Sequence, residues 1–151
     1  MSTFLKILFA AALLLMPHMI TSAHAQDAAE AEVKKLPIYI EDVRVFGRWT
    51  IDDNTGVYRG IIVRSGTDTV TARFFLQWLM AGADGTQSIH STTEIKELSE
   101  LKTNIVDYRI EMDADGLAMF IDTLNIATDD DTTFELFINS PEDYEFSPST
   151  N

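Results

Sequence analysis

From Val70 to Met80 the chain alternates without a break. Val70, Ala72, Phe74, Leu76, Trp78 and Met80 fall on one side of an extended backbone, and Thr69, Thr71, Arg73, Phe75, Gln77 and Leu79 on the other. Successive strand side chains point to opposite faces, so this pattern demands a strand with one face in a core. The strict alternation and the β-branched start, Val70 and Thr71, argue against a helix. Each large side chain buried on that face contributes roughly 1.5–3 kcal/mol, which makes this strand the strongest core contributor in the chain.

The segment pairs naturally with the one before it. Val57 to Arg64 carries apolar residues at both parities, as a strand covered on both sides or strongly twisted would, and Ser65-Gly66-Thr67-Asp68 supplies the turn. Tyr39 to Ile51 alternates as well. Tyr39, Val43, Val45, Trp49 and Ile51 share one face and Ile40, Asp42, Arg44, Phe46, Arg48 and Thr50 the other, with Gly47 placed for a bulge. Asp52 to Gly56 reads as a tight Asx-rich loop.

Further along, Gln87 to Ser91 begins a fourth strand. Ser91 and Glu94 stand at capping-box spacing ahead of Ile95, Leu98 and Leu101, which predicts a short helix over Thr92–Lys102. Val106, Tyr108, Ile110 and Met112 form the apolar face of another strand, and Leu117, Met119 and Ile121 that of its return. Asn125 to Thr133 reads as a polar loop, followed by a last strand marked by Phe134, Leu136 and Ile138. About seven or eight short strands joined by Asx-Gly turns predict an all-β fold, an antiparallel β-sandwich of immunoglobulin-like or similar type. A small β-barrel is the alternative.

The N-terminus has a different character. Lys6 precedes the apolar run Ile7–Met16, and Ala23-His24-Ala25 offers a small-x-small cleavage site. That is the layout of a secretory signal peptide over residues 1–25, cut near Ala25. The run is shorter than the roughly 20 residues a spanning helix needs, so no stable membrane insertion is expected. Residues 26–36 then read as a flexible leader with room for a turn of helix. Residues 37–140 form a single β domain and residues 141–151 an acidic tail, and the mature chain is expected to be periplasmic or secreted. There is no cysteine, which excludes thiol catalysis, disulfides and cysteine-ligated metals.

The net charge of −13 is unevenly distributed. From Gln26 to Ala83 seven basic residues face eight acids, whereas from Asp84 onward only Lys96, Lys102 and Arg109 oppose sixteen. No basic patch suits a phosphate backbone, so nucleic acid is not the expected partner.

Motifs for chemistry are sparse. His90 is the only histidine left after cleavage, and no serine sits in a G-x-S-x-G elbow, so the chain is read as a non-enzyme without a cofactor. Glu111, Asp113, Asp115 and Asp122 fall at EF-hand-like positions, which makes Asp113, Asp115 and Asp122 candidate calcium ligands. A β-hairpin explains the same residues. The arginines are more suggestive, because Arg and aromatic residues anchor interfaces. Arg44, Phe46, Arg48, Tyr58, Arg59, Arg64, Arg73, Phe75 and Gln77 are the candidate binding residues, and cross-strand pairing with the chain's own acids is the competing explanation. The expected function is a non-enzymatic binding or accessory module for a protein or other envelope macromolecule. A small barrel carrying an apolar ligand, lined by the Val70–Met80 face, is the alternative, and a carboxylate-dependent hydrolase the third reading.

Overall fold

The computed structural model describes residues 28–112 and 116–150. The expected signal peptide with its expected cleavage site, and two of the three candidate calcium ligands, Asp113 and Asp115, lie outside the described residues. Two units separate after Pro37. In the first, residues 28–33 are helical, and Lys34 and Lys35 lie 2.6 Å from Glu30 and Glu32 at helical spacing. Among the described residues, no helix is long and apolar enough to cross a membrane.

The second unit is the β domain. Its strands are β1 (Ile40–Ile51), β2 (Asn54–Ser65), β3 (Thr71–Ala81), β4 (Gln87–Glu94), β5 (Asn104–Met112), β6 (Leu117–Asn125), β7 (Asp130–Ser140) and β8 (Asp143–Pro148), with one short helix, α1 (Lys96–Leu101), between β4 and β5. They form two four-stranded antiparallel sheets ordered β1-β2-β3-β4 and β5-β6-β7-β8. The expected sandwich is what the chain forms. Within it, each sheet is a sequential meander, without the Greek-key exchange of strands that defines immunoglobulin domains. Residues 141–150 are no tail, because β8 pairs with β7 from Ser140↔Asp143 to Phe134↔Pro148.

The sheets cross steeply. Just ahead of β5, the Thr103 carbonyl accepts from the Ala72 N–H of β3 at 2.9 Å. Two residues on, the Ile105 carbonyl accepts from Arg64 of β2 at 2.9 Å, and Asp107 meets Arg44 of β1 at 2.9 Å. β5 thus traverses the strands of the first sheet in turn, as orthogonally packed sheets do.

The core lies between the sheets. Ala72, Phe74, Leu76 and Trp78 of β3 are fully buried, as their alternation requires, and they join one cluster with Met119 and Ile121 of β6 and Leu136 and Ile138 of β7. Ile95 and Leu98, also buried, close one side of that cluster. The helix they belong to starts later than its sequence suggests. β4 runs through Glu94, Ile95 is the N-cap with no side-chain hydrogen bond, and the Ser91–Glu94 capping box does not form. Glu94 is instead taken by Arg73.

Among the described residues the register shifts at five places, and three of these bear on the faces read from the sequence. At Gly47, with φ +53°, the β1–β2 register shifts between Phe46 and Trp49. Phe46 therefore turns toward the core, where it stacks on Tyr58 at 5.9 Å, and Trp49 is buried beyond the bulge. Val43 and Val45, expected on the core face with Trp49, are exposed instead. A second bulge between Ile105 and Asp107 buries Ile105 and exposes Val106. The third, between Ile89 and Ser91 of β4, leaves His90 beside Trp49 with ring centroids 5.3 Å apart.

The turns are tighter than expected. β1 and β2 join through Asp52 and Asp53 alone, since Ile51 already pairs with Asn54 and Asp52 takes a left-handed φ of 53°. β6 and β7 join through 126–129, where Asn125 Oδ1 accepts from the Ala127 N–H at 3.0 Å as an Asx turn. Asp130 and Asp131 begin a strand, where a polar loop was expected.

Candidate functional site

The structure divides the nine candidate binding residues into three groups. Arg59, Arg73, Phe75 and Gln77 come together on the outer face of the first sheet. Cross-strand register places them in rows. Val45, Arg59, Gln77 and Thr92 form one row across all four strands, and Val43, Ile61, Phe75 and Glu94 form the next. Arg73 stands opposite Val63 at one end, and Leu79 is flanked by Val57 and Ile89 at the other.

Two polar networks run through this face. Arg59 donates from Nε and Nη2 to Gln77 Oε1 at 2.8 and 2.5 Å, and Gln77 Nε2 donates to Thr92 Oγ1 at 3.1 Å. Arg73 grips Glu94 with two bonds of 2.7 Å and lies over the Phe75 ring, 4.9 Å from its centroid. The fork-to-fork bond from Arg73 holds the Glu94 carboxyl below the usual carboxylate range. Around these networks the surface is apolar. Val43, Val45 and Ile89 are 46%, 58% and 56% exposed, well above what a buried strand face would show, and Ile61 and Phe75 are half-buried between them.

The second group is structural. Tyr58 is in the core, only 8% exposed, where burial pushes its hydroxyl pKa up. Phe46 packs against Tyr58 and, edge-on, against Tyr108. Arg44 latches the two sheets. Its guanidinium lies 2.8 Å from Asp42 and 2.9 Å from Asp107, and it covers the Tyr108 ring at 4.5 Å. Arg64 latches them a second time through the Ile105 carbonyl, while also pairing with Glu41. Arg44, Phe46 and Arg48, expected on one face by parity, do not share it, because the Gly47 bulge breaks the alternation ahead of Arg48.

The third group is Arg48 alone, which is exposed at one end of the sheet and lines a small cleft beside Trp49 and Val57. Arg64 and Arg73, from the other two groups, line a cleft of about 630 Å³ with Ile38, Tyr39, Val63 and Val70. On the second sheet, Asp122 is engaged by Arg109 at 3.3 Å and by the Thr133 hydroxyl at 2.7 Å. Among the described residues, no group of three His, Asp or Glu side chains is placed to hold a metal ion.

Sequence parity missed Val43, Val45, Ile89 and Thr92. Ile89 and Thr92 lie in a strand too polar to read face by face, and the two valines sit ahead of a bulge that reverses which parity faces the core. A signal existed at Gly47, because a glycine interrupting an alternating strand marks a place where the parity can change. Comparison with protein-family models, curated proteins and solved structures finds no match for this chain.

Proposed function

We propose that this chain is an exported, non-enzymatic binding module that docks another envelope macromolecule through the outer face of its first sheet. The observation that supports this is the exposure of Val43, Val45 and Ile89 around Phe75 and Ile61, four of the five lying in the half of the chain that is nearly neutral. Apolar surface of this kind, rimmed by polar groups, marks interaction sites. The acids gather on the other half, where self-repulsion promotes solubility. The signal sequence supports the location, which would be periplasmic or extracellular. The tight cluster formed by the inner face of β3 favours this reading over a carrier lined by the same residues.

The test is affinity capture from the native envelope with the mature protein and with a Val43→Asp, Val45→Asp variant. Both valines are exposed, so the variant should keep its fold. The partner captured by the parent should be lost with the variant, and equal capture would refute the surface.

A further inference from the structure

Arg59 stands apart from the other arginines of the first sheet. Arg44, Arg64 and Arg73 each have a carboxylate within ion-pair distance. Arg48 has no such partner among the described residues and is exposed at the bulge. Arg59 is different: it is half-buried near the centre of the sheet, and its two hydrogen bonds go to the neutral Gln77. Val45 stands opposite it on β1, and Val57 and Ile61 flank it along β2 on the same face. In a chain with 24 acids and 11 basic residues, a guanidinium set among apolar side chains without a carboxylate is a charge left open. The Gln77–Thr92 relay fixes the side chain through Nε and Nη2, and Nη1 has no hydrogen bond among the described residues.

We infer that Arg59 is the anchor of the docking face, and that the partner is a protein segment presenting a carboxylate flanked by apolar side chains. The inference rests on the docking reading above and specifies its chemistry. Charge complementarity selects the occupant. Of the other charged side chains on this face, Arg73 and Glu94 neutralise each other and Arg48 lies exposed at the end of the sheet beyond the Gly47 bulge, so the face is net positive and Arg59 is its central, half-buried charge. The valines on either side desolvate an incoming carboxylate, which strengthens a charge-assisted bond. Gln77 is a positioning residue, since it holds the guanidinium without cancelling its charge.

The experiment titrates ¹⁵N-labelled mature protein with three capped peptides, Leu-Val-Glu-Val-Leu and its Gln and Lys counterparts at the central position, and follows amide shifts. The Glu peptide should perturb β1 to β3 amides around Val45, Arg59 and Gln77, and should bind about tenfold or more tightly than the Gln peptide, the scale of a hydrogen bond to a charged group. The Lys peptide should bind weakest. Arg59→Met should abolish the preference for Glu, and Arg59→Lys, which keeps the charge without the fork, should retain part of it. A Gln77→Leu variant should weaken Glu binding while leaving the Gln peptide unaffected. Equal binding of the three peptides, or an unchanged preference in Arg59→Met, overturns the inference while leaving an apolar docking face in place. Perturbations confined to other surfaces, or none with any peptide, also overturn it, and the capture experiment then decides the docking reading separately.

Discussion

Gly60 provides the sharpest test of the packing between the sheets. It faces the core from β2, and a Cβ added there would stand 2.7 Å from Tyr108 Oη, 3.0 Å from Phe74 Cζ and 3.1 Å from Phe46 Cε1. Comfortable separations for such atoms are about 3.5–4.0 Å, so three ring systems would have to yield at once. Tyr108 and Phe74 are 3% and 0% exposed, which leaves them nowhere to go. Overpacking of this kind costs about 1–3 kcal/mol, and the loss of unfolded-state freedom on replacing glycine offsets roughly 0.4–1 of that. Gly60→Ala should therefore lose about 1–2 kcal/mol. For a domain of roughly 110 residues that lowers the melting temperature by about 4–8 °C. Tyr108 Oη has no hydrogen-bond partner, so Tyr108→Phe alone should be neutral or slightly stabilising. Combining the two removes the closest contact and should recover at least half of the loss. Differential scanning calorimetry of the four proteins gives the cycle. A Gly60→Ala protein that melts with the parent, or strictly additive effects, would refute this account of the interface.

The remaining tests address other parts of the fold. Leu76→Ala, at a position with no exposure, should cost about 2–5 kcal/mol by urea denaturation. Gly47→Ala must adopt φ +53° and displace the flexible Met112 side chain, so a loss of about 1–2 kcal/mol is expected, with Gly47→Asn milder because asparagine tolerates the left-handed region. Deleting residues 141–151 should produce an aggregating protein by size-exclusion chromatography. It strips β8 from β7, breaks the Phe134–Phe146 stack at 4.9 Å and removes the Tyr144–Glu97 bond, whereas a true tail could be removed without effect. The Tyr108 N–H and the Arg44 guanidinium hold the Asp107 carboxyl below its ordinary value. A carboxylate depressed on folding adds stability above its unfolded pKa and loses it as pH falls through the folded one. Stability should thus decline below about pH 4, with a share from Asp107 limited by solvent exposure to about 0.5 kcal/mol, and Asp107→Asn should flatten that part of the urea-midpoint profile.

The class of this fold was legible because its strongest strand alternates without interruption. Ala72 to Trp78 needed only the period of two to be assigned to a core, and the structure buries every even position there. The same rule placed Leu117, Met119 and Ile121, and Phe134, Leu136 and Ile138. The eighth strand was not legible. Its apolar residues, Tyr144 and Phe146, are set among acids and a proline, and they become a strand only where β7 offers an edge and Phe134 a ring to stack on.

What the sequence determined by itself is local: alternation, turn chemistry, the lack of cysteine and the division of charge between the halves. What only the tertiary structure decided is which side of each strand faces which neighbour. A single residue inserted at Gly47 reverses the assignment of everything before it, and the energy that selects the bulge comes from Phe46 and Trp49 both reaching the core. The arginines show the same dependence. Their composition is plain in the sequence, but whether a guanidinium meets Asp107 across the sandwich, like Arg44, or stands among valines without a carboxylate, like Arg59, is set by strand order and register. Charge partners are chosen by position in space, and that position is fixed by the burial of residues distant in sequence.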